Sequence, residues 1–217
     1  HDALPIYTVD RDYFSKLSVA TSVNTPEAYL FSNYMDRRSF CLHTPAESGV
    51  FQATYMHKHN FFELMYTMRG EVSVMIEDKE VRYSAGNLCL LNRSTMHREI
   101  DMASADILYI GIDPSLITQW PKGLVQPFGY KSILNRFFSE NLSERAACKR
   151  DYVDFQLLGE DPIPQIADEL IRAYSEKRVG YQFDICSSLL RLFAALESPE
   201  LYRAEYVSLG YGRELIT

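Results

Sequence analysis

His57, His59 and Glu63 fall at positions of one parity within the stretch His57-Lys58-His59-Asn60-Phe61-Phe62-Glu63. On an extended strand successive side chains alternate between faces, so two imidazoles and a carboxylate project from the same side. Gly70 completes a pattern of the form H-x-H-x3-E-x6-G. Imidazole nitrogens and a carboxylate oxygen suit one divalent metal of the borderline type, Zn, Ni, Mn or Fe. A second segment, Gly86-x5-Asn92-x4-His97, offers a fourth donor from a neighbouring strand. Should these faces line a small barrel, His57 and His97 must approach within about 10 Å, which is two side-chain reaches plus metal–ligand bonds of about 2 Å. The same four residues also read as a polar cluster satisfied by water or by a bound small molecule. Left unpaired in the interior they would cost about 1–3 kcal/mol each, so a partner is needed on either reading.

The surrounding pattern says which elements must carry these groups. From about residue 50 to 112 the apolar residues alternate with period two, as in half-buried strands. Val72, Val74 and Ile76 alternate with Ser73 and Glu77, Asp78-Lys79 reads as a tight turn, and Val81 and Tyr83 resume the alternation. Ser84-Ala85-Gly86-Asn87 interrupts it, Leu88 to Leu91 restores an apolar run, and Ile107 to Ile112 forms a further strand ended by Asp113-Pro114. Short strands at close spacing predict a sandwich or barrel. Beyond about 115 the period becomes helical. Tyr130, Ile133, Leu134, Phe137, Phe138 and Leu142 form one amphipathic stripe, and Ile163, Ile166, Ala167, Leu170, Ile171 and Tyr174 form a second. Asp161 is placed to cap the latter, with Pro162 and Pro164 in a first turn that needs no amide donors. A third helix spans about Phe183 to Leu196, stopped by Ser198-Pro199. Its apolar face is wider than one sheet contact needs, which predicts a homodimer seam through the helices at about 163–174 and 183–196. Residues 1–48 are mixed and polar and read as an arm with one or two short strands.

The two motifs resemble the paired motifs of cupins, with His57, His59 and Glu63 from the first and His97 from the second. Asn92 stands where cupins commonly have Pro, Ser94 where they have Gly and Asp101 where they have Asn. A well-matched first motif, an altered second one and a following helical section resemble the N-terminal sensor domains of AraC-type transcriptional regulators, over about residues 50–197. The resemblance implies a mainly β chain with α: a cupin-type double-stranded β-helix, or jelly roll, followed by a helical dimerisation segment. On that division residues 1–48 are the arm, 49–114 the barrel core, 115–212 the helical segment, and 213–217 the start of a linker to a helix-turn-helix domain absent from this chain. It further implies a small-molecule effector in the barrel, carbohydrate-like given 15 Tyr and 12 Phe, and contact with DNA only through the missing domain. Candidate effector contacts are His57, His59, Glu63, His97, Tyr55, Met65, Arg38 and Trp120. Met65, with Met68 and Met75, reads equally as core filler, Trp120 as core, and Arg38 beside Arg37 as a solvated pair. The competing class is a metal-dependent cupin enzyme, a dioxygenase or isomerase, for which two His and a Glu with open coordination positions would serve.

Composition narrows the field. With 22 basic against 29 acidic residues the 217-residue chain carries a formal charge of −7, a poor match for tracking a phosphate backbone. Cys41, Cys89, Cys148 and Cys186 form no C-x-x-C pair and read as small buried hydrophobes in a reducing compartment. No run approaches the roughly 18 apolar residues of a membrane span, and HDALPIYTVD has neither the basic nor the apolar region of a signal peptide. The expectation is a cytoplasmic protein, trimmed at its start, with no membrane contact.

Overall fold

The computed structural model describes residues 17–24, 29–33, 41–43, 56–101, 105–114, 117, 132–143, 145–176 and 178–211. The strands are β1 (Leu17–Asn24), β2 (Tyr29–Asn33), β3 (Cys41–His43), β4 (Phe62–Arg69), β5 (Glu71–Ile76), β6 (Lys79–Ser84), β7 (Leu88–Leu91), β8 (His97–Asp101) and β9 (Asp106–Ile112). Helix α1 (Ile133–Asn141), a 3₁₀ turn (Arg145–Cys148) and β10 (Lys149–Leu157) follow, then α2 (Ile163–Glu176), α3 (Tyr181–Leu196) and β11 (Tyr202–Tyr211). One sheet runs β11-β10-β7-β4-β9-β1-β2-β3 and the other β6-β5-β8, and all the described pairings are antiparallel. This is the mainly β jelly-roll architecture expected, with three helices among the described residues.

Strand β4 explains the layering. Phe62, Leu64 and Tyr66 join a core shared with the helices, whereas Met65 joins a core shared with the small sheet. Both faces are covered, so the strand is buried on consecutive residues from Phe62 to Thr67, the polar Glu63 and Thr67 included. The inner core packs Met65, Cys89, Leu91, Ile107 and Tyr152 of the large sheet against Val72, Val74, Ile76 and Tyr83 of the small one. The outer core receives Ile163, Ile166, Ala167, Leu170 and Tyr174 of α2, with Ile185, Leu189, Leu192, Phe193 and Leu196 of α3. Each such side chain contributes roughly 1.5–3 kcal/mol when fully buried.

Several expectations need correction. The hairpin between β5 and β6 turns on Glu77-Asp78, not Asp78-Lys79, because Lys79 pairs with Ile76. The region 115–212 is not purely helical, since β10 and β11 pair with each other and β10 extends the large sheet beside β7. Among the described residues three strands, not one or two, lie before residue 48, and β1 pairs with β9 from Leu17 to Ser22. The wide apolar face of α3 is consumed within the chain, because it meets both the sheet and α2. Of the cysteines, Cys89 is buried, whereas Cys148 and Cys186 are only partly so. Tyr130 lies outside the described residues. No helix among the described residues is long and apolar enough to cross a membrane.

Candidate functional site

The site assembles where β4 and β8 bring opposite sheets together. His57 and His97 form an antiparallel bridge, each amide donating to the other's carbonyl at 2.9 Å. That reciprocal pair brings the imidazoles to 4.3 Å between centroids, well inside the limit expected from sequence. His59 lies two residues further on, with its ring centroid 5.0 Å from His57 and 5.2 Å from His97, and it stacks on Phe61. One nitrogen from each of the three imidazoles can be chosen so that all lie within 4.8 Å of one another.

Glu63 enters from β4. In the ladder it stands between Leu91 of β7 and Gly111 of β9, and it shares parity with Met65, so its carboxylate faces the barrel interior. Glu63 Oε2 lies 2.9 Å from His97 Nε2 and 3.3 Å from His59 Nε2. At these separations an imidazole that carries a proton on the nitrogen facing Glu63 makes a charge-assisted contact to the carboxylate. Burial opposes ionisation of Glu63, but the His59 and His97 imidazoles override it and hold the carboxyl well below the usual carboxylate range. For His97, burial disfavours the charged ring, yet Glu63 overrides it and raises the pKa above the ordinary imidazole value.

The tautomer of His97 decides what the cluster can hold. Its Nδ1 lies 3.0 Å from the Thr95 carbonyl, which only accepts, so Nδ1 carries the hydrogen. In the neutral ring Nε2 then presents a lone pair to a carboxylate oxygen, and a cation must stand between them, either a proton or a metal ion. A backbone carbonyl on the far nitrogen is the usual outer support of a metal-ligating imidazole. The donor set therefore fits a divalent metal, with His57, His59 and His97 as the compact group and Glu63 meeting two of them.

Of the other candidates, Met65 is fully buried in the inner core between Cys89 and Tyr109. Tyr55, Arg38 and Trp120 lie outside the described residues. Sequence reasoning passed over several groups on the same interior face. Tyr109 donates to Glu99 at 2.9 Å, and Tyr83 donates to Asp154, whose pKa is raised by burial despite that bond. The Tyr152 hydroxyl is buried without a hydrogen-bond partner. The alternation of Tyr152, Asp154 and Gln156 against Val153, Phe155 and Leu157 was the available signal for this strand. Asn92, at the altered motif position, supports the site from behind. Its side-chain amide donates to Asn141 Oδ1 at 2.9 Å and to the Lys149 carbonyl at 2.7 Å, and its backbone N–H donates to the Asp151 carbonyl at 2.9 Å. Proline there could supply neither donor.

No curated protein matches the chain. Among solved structures it is similar to the EutQ protein of Clostridium difficile, at 19% identity and a TM-score of 0.26, covering 27% of this chain and 47% of that one. It is also similar to unsaturated fatty acid-bound ToxT from Vibrio cholerae, at 10% identity and a TM-score of 0.39, covering 79% of this chain and 51% of that one. An apo form of ToxT aligns at 9% identity and a TM-score of 0.42, over 85% of this chain and 57% of that one. The chain thus spans about half the length of these relatives. The model of the AraC-like ligand binding domain matches residues 50–194, and the chain belongs to that family.

Proposed function

We propose that this chain is the sensor part of an AraC-type transcriptional regulator, taking a small polar effector at the barrel site built from His57, His59, Glu63 and His97. The carrying observation is the His97 geometry: Nδ1 committed to Thr95, and Nε2 facing Glu63 with a cation required between them. A divalent metal bound there would offer an effector a charged anchor for hydroxyl or carboxylate oxygens. A carbohydrate-like effector suits such an anchor, and the Tyr109 and Tyr152 side chains add an aromatic wall on the same interior face. The N-terminal strands, joined to β9 through β1, would respond to occupancy, and a separate helix-turn-helix domain would read that response. Two copies would associate through the exposed tip of the α2–α3 pair, where Val179 in the connecting turn and Phe183 in the first turn of α3 stand in solvent. The metal-dependent enzyme alternative would use the same four residues, and the family of residues 50–194 favours the sensor.

The test is a thermal melt of chelator-treated protein, first with zinc, nickel, manganese or iron(II), then with a panel of sugars in the presence of the best metal. Preferential binding to the folded state raises Tm. The expected result is a stabilisation by metal that the His97→Ala variant lacks, and a further shift with one class of polar ligand. No shift from any metal would refute the metal anchor. Turnover of a sugar without stabilisation would favour the enzyme.

A further inference from the structure

Glu77 adopts φ 54°, and it is the non-glycine residue with positive φ among those described. The hairpin turn it opens would accept Gly or Asn there at little cost, whereas a glutamate is strained. Such outliers persist where the surroundings hold them, and they point to a role. Here the surroundings are the segment leading into His97. Ile76 and His97 pair in the β5–β8 ladder. One step beyond, the Glu77 N–H donates to the Met96 carbonyl at 2.7 Å. The returning bond comes from the Met96 N–H to the Glu77 carboxylate, Oε1, at 2.8 Å, so a side chain closes the rung. The other oxygen, Oε2, accepts from Arg150 Nη1 at 2.8 Å. Arg150 lies on β10, next to Asp151, whose carbonyl takes both the Asn92 N–H at 2.9 Å and the Thr95 hydroxyl at 3.0 Å. The loop from Asn92 to His97 is therefore clamped between the β5–β6 turn and β10, with Glu77 and Arg150 as the clasp.

We infer that Glu77 is a positioning residue for His97: its carboxylate, bridging the Met96 amide and Arg150, fixes the peptide that aims the His97 ring at Glu63, His57 and His59. Sites of this kind work only when their groups are held to within about 0.5 Å, and Met96 is the residue through which His97 is aimed. The inference rests on the metal-site reading above, and the experiment separates the two.

Zinc binding is measured by calorimetry on wild-type chain and on the Glu77→Gly and Glu77→Gln variants. Glycine relieves the backbone but removes the clasp, so a purely structural turn predicts unchanged zinc affinity. The positioning role predicts a loss of about 10- to 100-fold, the range seen when outer supports of a ligand are removed, with the fold retained by circular dichroism. Gln, which still offers an oxygen to the Met96 N–H, should lose less. Wild-type affinity in Glu77→Gly, or losses equal in Gly and Gln, would overturn the inference. Glu77→Asn, also tolerant of positive φ, replaces the glycine variant should that one not fold. If wild-type protein binds no zinc, the metal reading fails, and hydrogen exchange of the metal-free chain then decides this one. Exchange at the His57 and His97 amides at least about tenfold faster in Glu77→Gly supports positioning, and unchanged exchange there overturns it.

Discussion

At the scale of single residues, the site is governed by one shared position between His97 Nε2 and Glu63 Oε2. In the metal-free chain Glu63 favours a proton there, raising the His97 pKa despite burial. A histidine pKa raised by folding contributes stability that is complete below its unfolded value and is lost as pH rises through the folded value. Metal-free protein should thus lose Tm as pH rises above the ordinary imidazole value of about 6.5. Zinc competes with that proton, so its stabilisation should grow over the same interval. Paired melts with chelator and with zinc check this, and a zinc effect that shrinks with rising pH would contradict it. Replacing His59, whose side chain is 25% exposed, by Ala should weaken zinc binding and lower the metal-free Tm less than loss of the buried His97 does. Replacing His97 should do both kinds of damage, since a buried carboxylate loses its partner at about 1–3 kcal/mol.

Among the elements, the entry to α2 is the most tightly specified. Asp161 accepts the Ile163 N–H at 3.0 Å, the Tyr66 hydroxyl at 2.7 Å and the Tyr202 hydroxyl at 3.0 Å. One carboxylate thereby ties the helix to β4 and to the start of β11. Asp161→Ala removes the cap, worth about 1 kcal/mol, and leaves two part-buried phenols to find new partners. The expected destabilisation by urea titration is about 2–4 kcal/mol, whereas Tyr202→Phe should cost about 1 kcal/mol. Helix α1 is capped from a distance: Glu197, at the end of α3, accepts both the Ser132 hydroxyl and the Leu134 N–H at 2.7 Å. Gly86 is required on two counts. Its φ is +87° and an added Cβ would meet Leu157 Cδ2 at 2.5 Å, so Gly86→Ala should cost about 1–3 kcal/mol in the same titration. The capping role of Asp161 was legible from its place before an apolar helical period. Its tyrosine partners were not, because 95 and 41 residues separate them from it.

For the whole molecule, the helices and the large sheet share a single outer core, so loss of packing in α3 should be felt globally. Phe193 is fully buried, and Phe193→Ala should cost about 3–5 kcal/mol in a transition that unfolds sheet and helices together. The exposed Val179 and Phe183 belong instead to the surface. Phe183 is 80% exposed, so Phe183→Ser should leave Tm within about 2 °C, consistent with surface changes of about ±0.5 kcal/mol. If copies associate through this tip, light scattering will show the mass of the variant fall toward that of one chain. An unchanged mass would place any association elsewhere. With a net charge of −7, the chain alone should show no salt-resistant affinity for duplex DNA in a mobility assay.

What the residues decided by themselves was local in origin. Period-two alternation set the strands of the barrel, and period 3.6 with Asp161 and Ser198-Pro199 set α2 and α3, whereas the parity expected of one strand from His57 to Glu63 does not apply, because the chain bends at Asn60 and Phe61 and β4 begins only at Phe62. His97 was legible as a candidate fourth donor from a neighbouring strand, and the bridge that sets it beside His57 was not. The tertiary structure decided the questions that depend on what lies across a gap. Whether the wide apolar face of α3 meets a second copy or its own chain is invisible in a helical period, and here the outer face of the large sheet takes it. The residues of β10 alternate much as those of β5 do, yet β10 and β11 read as part of a helical region until sheet partners distant in sequence claimed their hydrogen bonds. The Glu77 turn shows the same limit at one residue. Nothing local favours a glutamate at positive φ, and only the Met96 amide and Arg150, brought to it by the fold, stabilise it there.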